Sequence, residues 1–293
     1  MIAFIINPIS GGIRPEAARE RAELAASILD RHGNPAEVFI TERAGHGKEL
    51  AKAAVARGAD LVMAWGGDGT INEVASALVF SDIPLGIVPA GSGNGLARQL
   101  GIGRHPADAI RQALGARPRQ IDVGELADRL FVNVAGIGFD AHVAWRFNEA
   151  GTRRRGLVTY ASISSRALVS YRPSTYRIRI GDEDCPPVRA VLVTIANSAE
   201  FGNGAIIAPG AQVDDGELDL VVMEEHSRLN TIAQLPRLFQ GTVHHAKGCT
   251  MRRVTRATIE CDQPMQFHVD GEPVQGGTSL RVRIHPGALY VSV

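Results

Sequence analysis

A glycine-rich segment directly after a short apolar run carries the strongest chemical signal in the sequence. The segment Gly66–Thr70 reads Gly-Gly-Asp-Gly-Thr, follows the run Leu61–Trp65 and precedes a helix-like stretch. Glycines let the main chain pass close to a bulky anion, and the free N–H groups and dipole of the following helix favour negative charge. Asp68 adds a carboxylate that can bind a metal cation or take up a proton, as phosphoryl transfer requires. A surface turn is the alternative, but the strand-to-helix setting favours a phosphate site.

Three further polar loops follow neighbouring apolar runs. The segment Asn7–Gly12 ends the first run with an amide, a hydroxyl and two glycines, and Thr41–His46 ends the second. The segment Pro89–Gly95 is a second glycine-rich loop. Each is also compatible with a plain turn or, at Thr41, with a helix cap.

The elements that must position these loops alternate along the first 120 or so residues. Short apolar runs at 2–6, 38–40, 61–65 and 85–88 alternate with helical patterns, which is typical of a parallel sheet covered by helices. In such sheets ligands bind beyond the carboxyl ends of the strands, so the loops are expected to face one crevice. We therefore predict an N-terminal Rossmann-like domain over residues 1–122 that binds a nucleotide.

The remainder, residues 123–293, has a β-rich texture that favours an antiparallel sandwich or barrel. Two helical candidates, Leu157–Tyr171 and Leu229–Phe239, interrupt it, and the final run Ala288–Val293 is also compatible with a return to the first domain. The predicted strands are Leu130–Val134, Tyr176–Ile180, Val188–Ala196, Leu218–Met223, Val254–Glu260, Met265–Val269 and Leu280–Ile284.

Composition narrows the class of protein. Lys plus Arg and Asp plus Glu both number 31, so no bulk charge attracts nucleic acid, and 45% hydrophobic residues suit a globular protein. The three cysteines show no paired spacing and indicate reduced thiols in the cytoplasm. The apolar start stops at Asn7-Pro8 without a basic leader, and no run reaches the ~20 apolar residues of a spanning helix. We expect a cytoplasmic protein.

The motifs taken together resemble the diacylglycerol kinase catalytic-domain family, which includes bacterial lipid kinases and sphingosine kinases. The resemblance rests on the loops above, with Asn72-Glu73 after the first glycine loop, and extends over nearly the whole chain. It continues through the segments 131–140 (Phe-Val-Asn-Val-Ala-Gly-Ile-Gly-Phe-Asp), 214–218 (Asp-Asp-Gly-Glu-Leu) and 268–273 (His-Val-Asp-Gly-Glu-Pro).

This resemblance implies an ATP-dependent lipid kinase with Mg²⁺, a lipid-binding second domain and chemistry between the domains. It assigns catalytic roles to Asp68, Glu272 and Asp270, with Glu272 and Asp68 ranked above Asp270 as the base. It assigns Mg²⁺, structural or catalytic, to Asp215 with the backbones of Gln212 and Glu217, although a hairpin turn also explains that segment. The implied nucleotide residues are Asn7, Ser10, Thr41, Gly66, Gly67, Asp68, Gly69, Thr70, Ile71, Asn72 and Ser92.

One departure leaves the acceptor lipid open. Bacterial diacylglycerol kinases usually carry Asn-Asp in the second loop, whereas Asn94 is followed here by Gly95, as in sphingosine kinases. The basic run Thr152–Arg155 before an apolar stretch suits transient docking on an anionic membrane or a solvated charge run. The sequence is also compatible with a homodimer.

Two other functions compete. An NAD kinase relative shares Gly-Gly-Asp-Gly-Thr, but the Gly-Ser-Thr-Ala-Tyr type of segment expected there is missing. A regulator that binds nucleotide or lipid without turnover would keep the same fold. We prefer the enzyme, because every candidate acid is present.

Overall fold

The computed structural model describes residues 1–12, 17–32, 35–149, 167 and 171–293. The basic run Thr152–Arg155 and nearly all of the predicted helix Leu157–Tyr171 lie outside these residues. The chain forms two compact units, the first containing Met1–Ile121 and Gly287–Val293 and the second Asp122–Pro286.

The first unit is built on parallel strands, as the alternating pattern predicts. Neighbours in the sheet follow the order β2-β1-β3-β4, all paired in parallel. Strands β1, β3 and β4 are buried along their whole length, which explains their unbroken apolar runs. Their bounds are β1 (Ile2–Ile6), β2 (Ala36–Ile40), β3 (Leu61–Gly66) and β4 (Leu85–Pro89).

Helices connect these strands and supply the rest of the first core. In the first of them, Ala25, Ile28 and Leu29 are buried at the three- and four-residue spacing of one helical face. The bounds are α1 (Ala17–His32), α2 (His46–Ala56), α3 (Asp68–Leu78), α4 (Gly95–Gln99) and α5 (Pro106–Gly115). Helices α3 and α4 begin at the two glycine-rich loops, so both loops end at helix N-termini.

The second unit is an antiparallel β structure, and the predicted fold class is confirmed. Strand β10 pairs with β7, β8 and β13, while β15 pairs with β8 and β18. The helices whose bounds are described in this unit are α6 (Phe139–Glu149) and α7 (Arg228–Phe239). The strands are β5 (Arg119–Leu126), β6 (Arg129–Phe131), β7 (Val134–Gly138), β8 (Ser174–Ile180), β9 (Glu183–Asp184), β10 (Val188–Ala196), β11 (Glu200–Gly202), β12 (Ala205–Ile206), β13 (Leu218–Glu224), β14 (Cys249–Val254), β15 (Arg256–Glu260), β16 (Gln266–Val269), β17 (Glu272–Gln275) and β18 (Ser279–Ser292).

Both faces of β10 are covered in this unit. Val193 and Ile195 belong to one buried apolar cluster, whereas Leu192 and Ala196 belong to another. Because successive side chains of a strand point to opposite faces, a strand between two cores reads as a continuous apolar run. The segment Ala190–Ala196 of this strand has that pattern, with Thr194 as its one polar residue.

Two predicted strands are wrong in extent, because each is divided. The run Leu130–Val134 ends as β6 at Phe131 and resumes as β7 at Val134. The run Val254–Glu260 is interrupted at Thr255, where the chain leaves its pairing with β13 and begins to pair with β8 and β18.

Strand β18 contributes its last residues to the first unit. Val291 and Ser292 pair in parallel with β4, and the Ser292 hydroxyl donates to the carbonyl of Ala113 at 2.7 Å. In the described part of the chain, no helix combines the length and the apolar character needed to span a membrane.

A buried carboxylate on β5 links this strand to β18 within the second unit. Glu125 accepts hydrogen bonds from Arg283 at 2.9 Å and from His285 at 2.8 Å, and its side chain is 11% exposed. Burial by itself raises the pKa of Glu125, but the interactions with Arg283 and His285 outweigh it and the pKa lies below its ordinary value.

Replacing Glu125 by Gln is expected to remove pH-dependent stability. A carboxylate whose pKa is lower in the folded state stabilises the fold above its unfolded pKa of about 4.3, and that stabilisation disappears as the pH falls through the folded value. Glu125→Gln should lower the free energy of unfolding by about 1–3 kcal/mol at pH 7 and much less at acidic pH. Urea unfolding at pH 7 and pH 3 checks this, with Glu260→Gln on β15 as the more exposed control. Equal losses for both variants would contradict the assignment.

Candidate functional site

The carboxyl ends of β1, β3 and β4 lie level with one another and carry three polar loops. Ile6 is in register with Trp65, and Gly66 is in register with Pro89. The ladder continues into the loops, because the Ala90 N–H donates to the Gly66 carbonyl at 2.7 Å. The structure therefore brings the first-strand loop and the two glycine-rich loops to one edge of the sheet.

Side chains of the first loop hold the glycine-rich loop after β3. The Asn7 amide donates to the Thr70 hydroxyl at 2.8 Å. The Ser10 hydroxyl accepts from the Gly67 N–H at 3.2 Å. Of the predicted nucleotide residues, Ser10 therefore holds the main chain of the glycine-rich loop, whereas Asn7 holds the Thr70 side chain. Both contacts set the shape of that loop.

Asp68 joins the two glycine-rich loops. Its two carboxylate oxygens accept from the N–H groups of Asn94 at 2.9 Å and Gly95 at 2.8 Å, at the start of α4. Asn94 has a left-handed backbone, with φ of 53°, and its side-chain oxygen accepts from the Gly91 N–H at 2.8 Å. The Asp68 carboxylate consequently organises the second loop as well as its own.

Glycines without side chains allow the three loops at this sheet edge to approach one another closely. A β-carbon added to Gly91 would lie 2.7 Å from the Cα of Gly67, and one added to Gly11 would lie 2.5 Å from the Ala90 carbonyl oxygen. Both distances are shorter than atoms tolerate. Glycine is therefore required here for close packing of main chain, in addition to any approach of an anion.

Burial alters the protonation of Asp68. Desolvation raises the pKa of this carboxyl above its ordinary value, while the N–H groups of Asn94 and Gly95 oppose the shift by stabilising the charged form. A raised pKa brings a carboxylate closer to the pH at which it is an effective general base.

The loop after β2 is held by a residue that the sequence reasoning left without a role. Glu73 on α3 accepts from the Gly45 N–H at 2.7 Å and the Gly47 N–H at 2.8 Å, at the start of α2. The predicted Thr41 is buried beside this loop and donates its N–H to the Ile6 carbonyl. The signal was present in the motif Asn72-Glu73, but only the fold shows which loop Glu73 holds.

The remaining predicted nucleotide residues differ in exposure. Gly69 and Ser92 are exposed, so both are accessible to a ligand. Thr70 and Asn72 are buried, and Ile71 is a fully buried residue of the core. A nucleotide would contact these three through the main chain of the helix start.

In the second unit, the candidate base Asp270 is fully engaged by main chain. One oxygen accepts from the N–H groups of Asn133 at 2.9 Å and Val134 at 2.8 Å, and the other accepts from Val132 at 2.9 Å. These bonds account for the break between β6 and β7. They favour a structural role for Asp270 over that of a base.

Glu272 has a different environment. Asp270 and Gly271 both have positive φ, 48° and 84°, and form the two-residue turn between β16 and β17. Glu272 is the first residue of β17 and is exposed. Its carboxylate is therefore accessible to a substrate hydroxyl.

The predicted Mg²⁺ turn lies against a buried acid of β5. Asp122 is 2% exposed and accepts from the Gly216 N–H at 2.7 Å. Asp215 accepts from the Glu217 N–H at 3.1 Å and lies 3.5 Å from Arg253, which also contacts Glu217. Burial, and then the charges of its neighbours, raise the pKa of the adjacent Asp219 despite Arg253.

Comparison with known proteins decides the family. Residues 1–126 match the model described as the diacylglycerol kinase catalytic domain, and residues 133–293 match the YegS C-terminal NAD kinase beta sandwich-like domain. The chain belongs to the YegS-like lipid kinase family. It is 31% identical over 264 residues to a probable lipid kinase YegS-like of Chromohalobacter salexigens, covering 89% of this chain and 84% of the relative. It is 29% identical over 280 residues to a diacylglycerol kinase of Mycobacterium tuberculosis, covering 92% and 88%.

Solved structures show the same fold. A putative diacylglycerol kinase from Bacillus anthracis matches with a TM-score of 0.80 at 19% identity, covering 99% of this chain and 94% of that chain. An NAD kinase from Archaeoglobus fulgidus in complex with ATP matches with a TM-score of 0.59 at 13% identity, covering 100% and 94%. The family assignment rests on the sequence relatives and the domain matches.

The donor chemistry of the acidic turn suits a hard cation. Among the described residues, no three His, Cys, Asp or Glu side chains are grouped to hold a metal ion. Mg²⁺ at Asp215 would therefore depend on main-chain carbonyls such as those of Gln212 and Glu217, together with water. An all-oxygen set of this kind is the one that Mg²⁺ prefers.

The second unit also contains a buried polar cluster, whose members Asp140 and His268 lie in the quoted motifs but have no role assigned from the sequence. Asp140 accepts from the Thr194 hydroxyl at 3.0 Å and lies 3.5 Å from His268 Nε2. His268 in turn accepts from the Gly271 N–H at 3.3 Å through Nδ1. His268 supports the turn before Glu272. Because the members of the cluster come from distant segments, their spacing in the sequence does not predict that they are in contact.

Asp270→Asn is expected to destabilise the protein more than Glu272→Gln. An Asn side chain offers one oxygen where three main-chain N–H groups need acceptors, which costs roughly 2–4 kcal/mol, whereas Glu272 is exposed. Urea unfolding followed by circular dichroism measures both. Equal midpoints for Asp270→Asn and wild type would contradict the structural role.

Proposed function

We propose that this protein is an ATP-dependent lipid kinase that transfers the γ-phosphate of ATP to a lipid hydroxyl. The proposal takes the family relationship one step further, to the reaction and its substrates. It is supported by the acidic residues and loops described above, and it accounts for why they occur in one chain.

The observation that carries the proposal is the linked set of loops at the ends of β1, β3 and β4. Ser10 and Asn7 hold the loop after β3, and Asp68 joins that loop to the one after β4. The arrangement presents glycine main chain and the N-terminus of α3 at a single sheet edge, whereas the first N–H groups of α4 are already bound to Asp68. This is a site for a polyphosphate, because N–H groups and helix dipoles both favour negative charge.

The roles of the acids follow from their environments. Asp68 and Glu272 are the candidates for removing the proton of the lipid hydroxyl, the first because its pKa is raised and the second because it is exposed. Asp270 holds the turn that carries Glu272. Mg²⁺, when bound, would offset negative charge on the phosphates.

Diacylglycerol is the acceptor that we test first, with sphingoid bases second. The relative from M. tuberculosis is a diacylglycerol kinase that aligns over 92% of this chain. Gly95 after Asn94 is the departure that keeps sphingoid bases in the panel. Both lipid classes carry a free hydroxyl for phosphoryl transfer.

The test is phosphorylation from radiolabelled ATP and Mg²⁺ with lipids in mixed micelles. We expect a labelled phospholipid product with at least one of these classes. Formation of NADP from NAD, without any labelled lipid, would instead identify an NAD kinase activity. Tight ATP binding with no transfer to any lipid would identify a binding protein and overturn the proposal.

Asp68→Asn is expected to impair both folding and turnover. The amide of Asn can accept only through its oxygen, so one of the two N–H groups of Asn94 and Gly95 would face an NH2 group, at a cost of about 1–3 kcal/mol. Loss of a general base lowers turnover by roughly 10²–10⁴-fold.

Urea unfolding and the initial rate of lipid phosphorylation measure the two effects. Asp82→Asn, an exposed acid of the same unit, is the matched control. Glu272→Gln, which should keep its stability, shows whether the base is Glu272 or Asp68. Wild-type stability and turnover in Asp68→Asn would remove both roles of this carboxylate.

A further inference from the structure

A buried arginine beneath the first loop has no counter-charge in the described part of the chain. Arg21 lies on α1 and is 6% exposed. No ion pair joins it to a carboxylate in the described ranges, in contrast to Arg19 on the same helix, which contacts Glu23 at 2.9 Å. A cation in this position needs a physical explanation, because burying an unpaired charge is costly.

The guanidinium of Arg21 is bound to the main chain of the first loop. It donates to the Asn7 carbonyl at 2.8 Å and to the Ser10 carbonyl at 3.1 Å. The guanidinium carbon Cζ of Arg21 lies 5.7 Å from the centre of the buried Trp65 ring, near the end of β3. Two loop carbonyls and one aromatic face thus fix its position.

The two residues that Arg21 binds are themselves hydrogen-bonded to the glycine-rich loop after β3. Asn7, whose carbonyl it binds, donates its side-chain amide to Thr70. Ser10, whose carbonyl it also binds, accepts from the N–H of Gly67. A change at Arg21 is therefore transmitted to both ends of the glycine-rich segment through two short chains of hydrogen bonds.

The carbonyls and the ring do not neutralise the positive charge. Desolvation lowers the pKa of the Arg21 guanidinium, with no compensating carboxylate among the residues that the structure describes, yet arginine stays protonated in proteins. An anion bound at the adjacent sheet edge would supply the missing negative charge. Of the ligands in the proposed reaction, the triphosphate of ATP carries that charge.

We propose that Arg21 is a positioning residue for polyphosphate binding. Its hydrogen bonds hold the first loop in the shape that the glycine-rich loop after β3 requires, and its charge is balanced by the bound phosphates. The identity of the ligand rests on the proposed function, but the inference concerns binding of a polyphosphate and is independent of the acceptor.

The experiment compares Arg21→Lys and Arg21→Met, with Arg19→Met as the control for loss of one positive charge on the same helix. Isothermal calorimetry measures binding of ATP, inorganic tripolyphosphate and adenosine at two salt concentrations. Steady-state kinetics supplies KM for ATP and kcat. Circular dichroism confirms that each variant is folded.

We expect Arg21→Met to weaken ATP and tripolyphosphate binding by about tenfold or more, since a charge-assisted contact is lost, while adenosine binding is unchanged. Arg21→Lys should recover part of the affinity because it keeps the charge, without the forked hydrogen bonds. KM for ATP should rise more than kcat falls. Arg19→Met should bind as the wild type does.

Equal loss of ATP and adenosine affinity in both Arg21 variants would show a merely structural role and overturn the inference. So would wild-type affinity for tripolyphosphate in Arg21→Met, or a wild-type protein that binds no polyphosphate. If Arg21→Met does not fold, Arg21→Lys provides the test. A loss of tripolyphosphate affinity without a loss of adenosine affinity supports the inference, and equal losses overturn it. Polyphosphate binding that depends on Arg21, without phosphorylation of any lipid, would leave this inference standing and overturn only the proposed function.

Discussion

Main-chain N–H groups that leave a sheet or begin a helix must find acceptors, and this requirement shapes both units. In the first unit Asp68 and Glu73 accept from pairs of N–H groups at the starts of α4 and α2. In the second unit Asp270 accepts from three, between β6 and β7. Because an unmatched buried N–H costs about as much as a lost hydrogen bond, these carboxylates hold the loops in place.

The same requirement separates acids that look alike in the sequence. Asp270 and Glu272 are two residues apart in one motif, yet the first is buried among main-chain donors and the second is exposed. Asp215 and Asp122 differ in the same way, since Asp122 is buried and supports the turn that contains Asp215. A buried, saturated carboxylate is suited to support, whereas an accessible one can meet a substrate.

Much of the fold could be predicted from patterns of apolar residues. The runs that became β1, β3, β4 and β10 are short, apolar and bounded by glycine or polar residues, so their conformation is decided locally. The division of the run Leu130–Val134 was not predictable, because it depends on Asp270, which lies more than 130 residues away. Similarly, Thr255 interrupts a strand only because the chain changes its pairing partner there.

The sequence by itself determined the class of both units, the loops at the strand ends and the residue types available for phosphate chemistry, because periodicity and glycine-rich motifs act over a few residues. Only the tertiary structure decided that Asp68 joins two loops, that Glu73 holds a third, and that a buried Arg21 lies beneath the first. It also decided that the end of β18 pairs with β4. These outcomes depend on which distant main-chain groups need a partner, and that is set by the packing of whole elements.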